Sequence, residues 1–224
     1  WSSDVCSSDL DKVSLLTRGI KDRLECTVSN ILDCAMVMVQ SGYGCDSELE
    51  CQIDNNLSQN DSFKFWLGAM PSKTPKYILE YKNSYRTHNP LFVDKEINNL
   101  GFKLSTGQML VHAGAWDNED NFIISRPLST SLSPQVAILN AIHGEKAYNM
   151  GKIDVLLLEV VNPNTNVFVF KTKNLSLGHE KEILFASGAR ISLNNKVCVG
   201  QMRVIKFDEN SGELDKIIPV NLIH

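Results

Sequence analysis

Two carboxylates stand two residues apart in the segment Gly178-His179-Glu180-Lys181-Glu182-Ile183-Leu184-Phe185-Ala186-Ser187-Gly188-Ala189-Arg190. Side chains at i and i+2 of an extended segment share one face, so a strand-like backbone there turns Glu180 and Glu182 toward a common cleft. Such a pair serves a reaction that builds positive charge on a sugar carbon and also needs a base. The apolar run Ile183 to Ala186 anchors the pair in a buried strand, and Gly188 offers the turn that follows. Taken alone, Glu-Lys-Glu reads more plainly as a solvated strand end. A second polar group, Leu128-Ser129-Thr130-Ser131-Leu132, alters that balance. Small hydroxyl side chains in series hydrogen-bond backbone and carboxylate groups without filling space, which holds Glu182 in a fixed rotamer facing a ligand.

The elements that must position these groups come in a definite order. A strand closing on a Gly turn (Gln108 to Gly114) is followed by Ser-Thr-Ser opening a strand ahead of a helix, and then by Glu-x-Glu at the start of another strand. That order, over residues 105 to 208, resembles a mono-ADP-ribosyltransferase of the arginine-serine-glutamate class. The resemblance implies NAD as the substrate consumed, with no metal. It implies that Glu182 hydrogen-bonds the nicotinamide ribose and stabilises the charge that develops as nicotinamide departs, and that Glu180 engages an arginine acceptor. Ser129 orients Glu182 in that scheme, Thr130 and Ser131 complete the wall behind it, and Lys171 to His179 forms a loop that recognises a protein target. The implied relatives are bacterial toxins, effectors and phage-encoded modifiers.

The class also carries an Arg-Gly pair on its first core strand, which here reads Met109-Leu110-Val111-His112-Ala113-Gly114-Ala115-Trp116. His112 takes the Arg position if the Gly matches Ala113, and Ala113 takes it if the Gly matches Gly114. A neutral imidazole brings one donor and no charge, against five fixed donors from Arg. Arg126 is a second source of charge, and Gly114 lets backbone amides approach a ligand closely. Without the Arg, a fold that only binds, or one that only hydrolyses NAD, stays open beside the transferase.

The rest of the chain is read for support of that site. Apolar residues from Asp11 to Gln40 recur at helical spacing, and Asp46 to Leu57, Tyr77 to Tyr85 and Val93 to Leu100 predict further helices. Beyond Gly107 the signal turns to strand at Ile153 to Val161, Asn166 to Thr172, Glu182 to Ser187, Ala189 to Leu193 and Val197 to Phe207, with one interior helix between Ser133 and Tyr148. Helices first and strands later predict an α+β fold, in the family's terms a two-sheet β core around an NAD cleft preceded by a helical N-terminal region. The division expected is residues 11–104 helical and 105–224 core. Residues 1–10, WSSDVCSSDL, read as translated adapter sequence, with the native start lost.

At 224 residues with 43% hydrophobic and 21% charged side chains, the composition is that of a soluble globular protein. A net charge of -4 provides no field for nucleic acid or an acidic membrane, and the resemblance implies a protein acceptor as the partner. Outside the adapter-like segment the cysteines are Cys26, Cys34, Cys45, Cys51 and Cys198, an odd set without metal-ligand spacing. They predict reduced, mostly buried thiols and action in a reducing cytoplasm, reached by secretion or injection where the chain is an effector.

Overall fold

The structure is a computed structural model that describes residues 28–40, 47–85, 87–116, 121–171, 181–208 and 211–224. The adapter-like residues 1–10, Cys26 and Cys45 lie outside the described residues, as does most of the helix expected from Asp11. The first elements are helical: α1 (Ile31–Gln40), α2 (Ser47–Gln59), α3 (Asp61–Ala69), α4 (Lys76–Asn83) and α5 (Pro90–Leu100). Asparagine opens two of them. Asn60 accepts the Phe63 N–H at 2.9 Å to cap α3, and Asn89 accepts the Leu91 N–H at 3.0 Å to cap α5, with Pro90 at its first position. Helix α5 stops at Gly101, where a Cβ would meet the Val167 carbonyl oxygen at 2.2 Å, so only glycine lets the chain turn down onto the sheet at Phe102.

The second half supplies β1 (Met109–Gly114), β2 (Asn121–Ile123), β3 (Leu128–Ser131), α6 (Pro134–Ile142), α7 (Lys146–Met150), β4 (Ile153–Glu159), β5 (Val167–Val169), β6 (Glu182–Phe185), β7 (Arg190–Ser192), β8 (Lys196–Asp208) and β9 (Gly212–Ile223). Seven strands form one sheet in the order β5-β6-β3-β1-β4-β9-β8, and β2 pairs with β7 in a separate small sheet. The fold is therefore α+β, with helices gathered on a large mixed sheet. Helix α6 lies on β1, and α1 packs against both α6 and β8. Leu110, Ile138, Ile183 and Leu184 are wholly buried in that layer, each contributing roughly 1.5 to 3 kcal/mol of apolar burial.

One element differs from the sequence reading, and two more are assigned no element there. The interior helix is split, because Gly144 (φ 65) and Glu145 (φ 61) take left-handed backbone and separate α6 from α7. Phe63 to Gly68 lies in helix α3. The closing strand β9 runs parallel to β4 and antiparallel to β8. Pro219 within β9 argues against a central strand, yet it falls just before the residues that pair with β4, so its missing N–H costs no ladder bond there. Of the described cysteines Cys34 is buried, whereas Cys51 and Cys198 are exposed free thiols. No helix among the described residues is long and apolar enough to cross a membrane.

Candidate functional site

Strands β3 and β6 are direct neighbours, with Ser131 opposite Glu182 and Ser129 opposite Leu184. Ser129 and Ser131 alternate onto the face that Glu182 shares. From the diagonal position the Ser129 hydroxyl donates to Glu182 Oε1 at 2.6 Å. The other carboxylate oxygen, Oε2, accepts from the Lys82 ammonium, which arrives on α4 from the helical half. Both partners are nearly withdrawn from water, at 8% and 6% exposure. Desolvating two charges is costly unless each finds its opposite, and here each does. The Lys82 ammonium also lies 4.4 Å from the Phe170 ring centroid, which adds a cation–π contact.

Ser129, Ser131, Glu182 and Lys82 line a cleft of about 540 Å³, together with Tyr81, Tyr85, His112, Gly114 and Lys146. Thr130 and Ser131 are buried in its wall. The Thr130 hydroxyl donates to the Ile183 carbonyl at 2.8 Å, and Ser131 Oγ accepts the Ser133 N–H at 3.0 Å. Of the residues singled out from the sequence, Ser129, Thr130, Ser131, Glu182, His112 and Gly114 are thus brought together. Arg126 is exposed in the turn before β3 and is not part of the lining. Glu180 lies outside the described residues, as do Lys173 and most of the Lys171 to His179 loop. Strand β6 begins only at Glu182, and Lys181 has a left-handed backbone with φ 48. Strand alternation is therefore broken at Lys181. Lys181, itself buried, turns away into an ion pair with the partly exposed Glu50 of α2 and a second with the exposed Asp54 at 3.0 Å, so the residue between the two carboxylates clamps the strand to the helices.

The imidazole of His112 is fixed by its Nδ1–H, which donates to the Ser129 carbonyl at 2.7 Å. A carbonyl only accepts, so the ring carries its proton on Nδ1 when neutral and shows a lone pair at Nε2. Burial pushes the imidazole below its ordinary value of 6.5, the Ser129 hydrogen bond partly restores it, and the Lys146 charge lowers it further. His112 is accordingly neutral near pH 7. Because the folded state resists protonation, stability should fall as pH drops through about 6.5 toward the lower folded value. Unfolding measured between about pH 7.5 and 5.5 should show this loss in the wild type and a flatter profile in His112→Asn. Equal profiles would remove His112 from the titration.

Beyond His112, strand β1 ends in the Gly114-Ala115-Trp116 turn, which closes the cleft. A Cβ on Gly114 would sit 3.7 Å from His112 Nε2, an ordinary contact, so nothing in the protein itself demands glycine there. The turn is held by Asp154, fully buried where β1, β4 and β9 meet. Asp154 accepts the Trp116 N–H at 2.8 Å and the Asn221 side chain at 2.8 Å, and pairs with Lys152 and Lys196 at 3.0 Å each. Lys152 also donates to the Trp116 carbonyl at 3.0 Å. The Trp116 Nε1–H is buried with no partner among the described residues.

Lys82, Tyr81, Tyr85 and Lys146 were not read as site residues in the sequence. On helices, a lone Lys among polar neighbours reads as solvated surface, and the spacing of Tyr77, Tyr81 and Tyr85 was the available signal of a common face. A second space of about 830 Å³ lies between β1, β4 and the small sheet. It contains neither the Ser-Thr-Ser residues nor Glu182. Among the described residues no cluster of His, Cys, Asp or Glu is placed to hold a metal.

No family model and no curated protein matches the chain. The solved structures to which it is similar include ADP-ribosyltransferase Vis in complex with agmatine, at 14% identity over 87% of this chain and 82% of that one, with a TM-score of 0.34. Exoenzyme S from Pseudomonas aeruginosa, in complex with human 14-3-3 protein beta and bound to carba-NAD, is 12% identical over 84% of this chain and 78% of that one, with a TM-score of 0.35. Plx2a, an ADP-ribosyltransferase toxin from Paenibacillus larvae, is 12% identical over 85% of this chain and 94% of that one, with a TM-score of 0.31.

Proposed function

We propose that the chain is a mono-ADP-ribosyltransferase that moves ADP-ribose from NAD to a protein arginine and releases nicotinamide. The observation that carries this reading is the bond from the Ser129 hydroxyl to Glu182 Oε1, 2.6 Å, inside the cleft. A carboxylate locked in this way is preorganised, so it reorganises little when positive charge develops on a sugar beside it. In the reaction the bond from nicotinamide nitrogen to ribose C1′ breaks with its electron pair leaving on nicotinamide. An acceptor guanidinium nitrogen then bonds to C1′ and gives up a proton. Glu182 stabilises the ribose as charge builds, Ser129 holds its rotamer, and Glu180 engages the guanidinium, whose planar fork matches a carboxylate. The lining at Gly114 leaves the end of β1 open to a ligand.

A second reading is favoured by one observation: both Glu182 oxygens are already engaged, one by Ser129 and one by Lys82. A fold of that kind serves as a binding module that does not turn NAD over. Nicotinamide release from NAD, with and without agmatine, separates the two. Release that rises with agmatine supports the transferase, equal release in both conditions marks an NAD glycohydrolase, and none from folded protein marks the binding module. In the transferase, Glu180→Gln should abolish transfer to agmatine yet leave appreciable hydrolysis, and parallel loss of both would end the division of roles between the two glutamates.

A further inference from the structure

We propose that Lys146, at the start of α7, supplies the positive charge that binds the diphosphate of a dinucleotide substrate in this cleft. The inference rests on the NAD reading above and names the residue that stands in for a guanidinium on β1. Among the described residues, the lysines lining the cleft are Lys82, Lys146 and Lys152. Lys82 is committed to the Glu182 carboxylate. Lys152 is committed to the Asp154 carboxylate and the Trp116 carbonyl, each at 3.0 Å. Lys146 instead is exposed, and its ammonium donates to the neutral Asn140 carbonyl at 3.2 Å. A phosphate oxygen replaces such an acceptor with gain, because it sets a full negative charge against the ammonium where the carbonyl offers only a dipole.

Placement supports the same assignment. Glu145, in left-handed backbone, accepts the Phe207 N–H at 3.1 Å and so ties the start of α7 to β8. Ala147, one residue on, is buried against the core. Lys146 between them projects from a fixed backbone, and its charge is felt at His112 across the cleft. His112 itself offers a lone pair at Nε2, which repels a phosphate oxygen instead of binding it. The diphosphate is thereby drawn toward α7.

Binding of ADP-ribose, measured by titration calorimetry against adenosine, tests the assignment without turnover. Lys146→Met should weaken ADP-ribose by about tenfold or more, the worth of a charged hydrogen bond, and leave adenosine unchanged. Lys146→Arg, which keeps the charge, should stay within about threefold of the wild type. Undiminished ADP-ribose binding by Lys146→Met overturns the inference and leaves the NAD reading standing. Equal loss of adenosine also overturns it, because the effect is then not on the diphosphate. A wild-type chain that binds neither NAD nor ADP-ribose overturns both.

Discussion

Replacing Glu182 by Gln is expected to lower nicotinamide release by about 10² to 10³-fold, the loss seen when one preorganised charge-stabilising group is removed. The amide still accepts from Ser129 through its carbonyl oxygen. It then presents an NH₂ group to the Lys82 ammonium, donor against donor. Lys82, only 8% exposed, is left without its carboxylate, and breaking a buried pair from one side costs about 3 to 5 kcal/mol. Two effects are therefore superposed in Glu182→Gln, one on chemistry and one on folding. Lys82→Met in the same chain separates them. It removes the stranded charge, so denaturant unfolding of Lys82→Met/Glu182→Gln should return most of the stability while nicotinamide release stays absent. Release that recovered with stability would assign the loss in the single variant to misfolding, and Glu182 would not be the catalytic group.

The largest effect on stability alone is expected from Asp154→Ala. The carboxylate is fully buried and joins three strands, and its removal strands the Trp116 N–H and the Asn221 amide while leaving two lysines without their counter-charge. A loss of about 3 kcal/mol follows, or roughly 6 to 12 °C in melting temperature for a chain of this size. Burial alone raises the Asp154 carboxyl, but the hydrogen bonds from Trp116, Asn221, Lys152 and Lys196 outweigh it and hold the group below its ordinary 3.8. A depressed carboxyl contributes stability above its unfolded value and loses it as pH falls through the folded value. The gap between wild type and Asp154→Ala should therefore be widest near neutrality and narrow below about pH 3.8. A gap independent of acid would mean that Asp154 acts through packing rather than charge. Because the same carboxylate sets the Gly114–Trp116 turn, the variant should also weaken NAD binding.

What could be read from the sequence divides along physical lines. Ser129 and Glu182 were legible as partners because strand alternation and a run of small hydroxyls leave few arrangements, and β3 and β6 adopt one of them. Strand β4 was legible as an unbroken apolar run, Ile153 to Leu158 apart from Asp154, and that interruption marked the buried clamp without revealing it. The geometry just before Glu182 was not legible, because a Lys in left-handed backbone breaks the alternation and nothing local requires that. Lys181 takes it because Glu50, far away in sequence, receives its ammonium. Lys82 was hidden for the same reason. A helix face shows its polar residues to the sequence reader as solvated surface, and only tertiary docking turns that face inward. Strand β9 was obscured by Pro219, whose cost disappears at one boundary of pairing.

The ion pair between Lys82 and Glu182 joins residues 100 apart in the chain, and that between Glu50 and Lys181 joins residues 131 apart. Closing such long loops is the slow part of reaching a native topology. A growing chain can complete helices α1 to α5 and strands β1 to β3 and still lack the Glu182 side of the cleft. Both pairs require β6, and Lys181 just before it, to reach the helices, Glu182 meeting a lysine and Lys181 a glutamate. The cleft proposed for NAD is thus complete only after this long-range closure, and refolding should restore core fluorescence before it restores nicotinamide release.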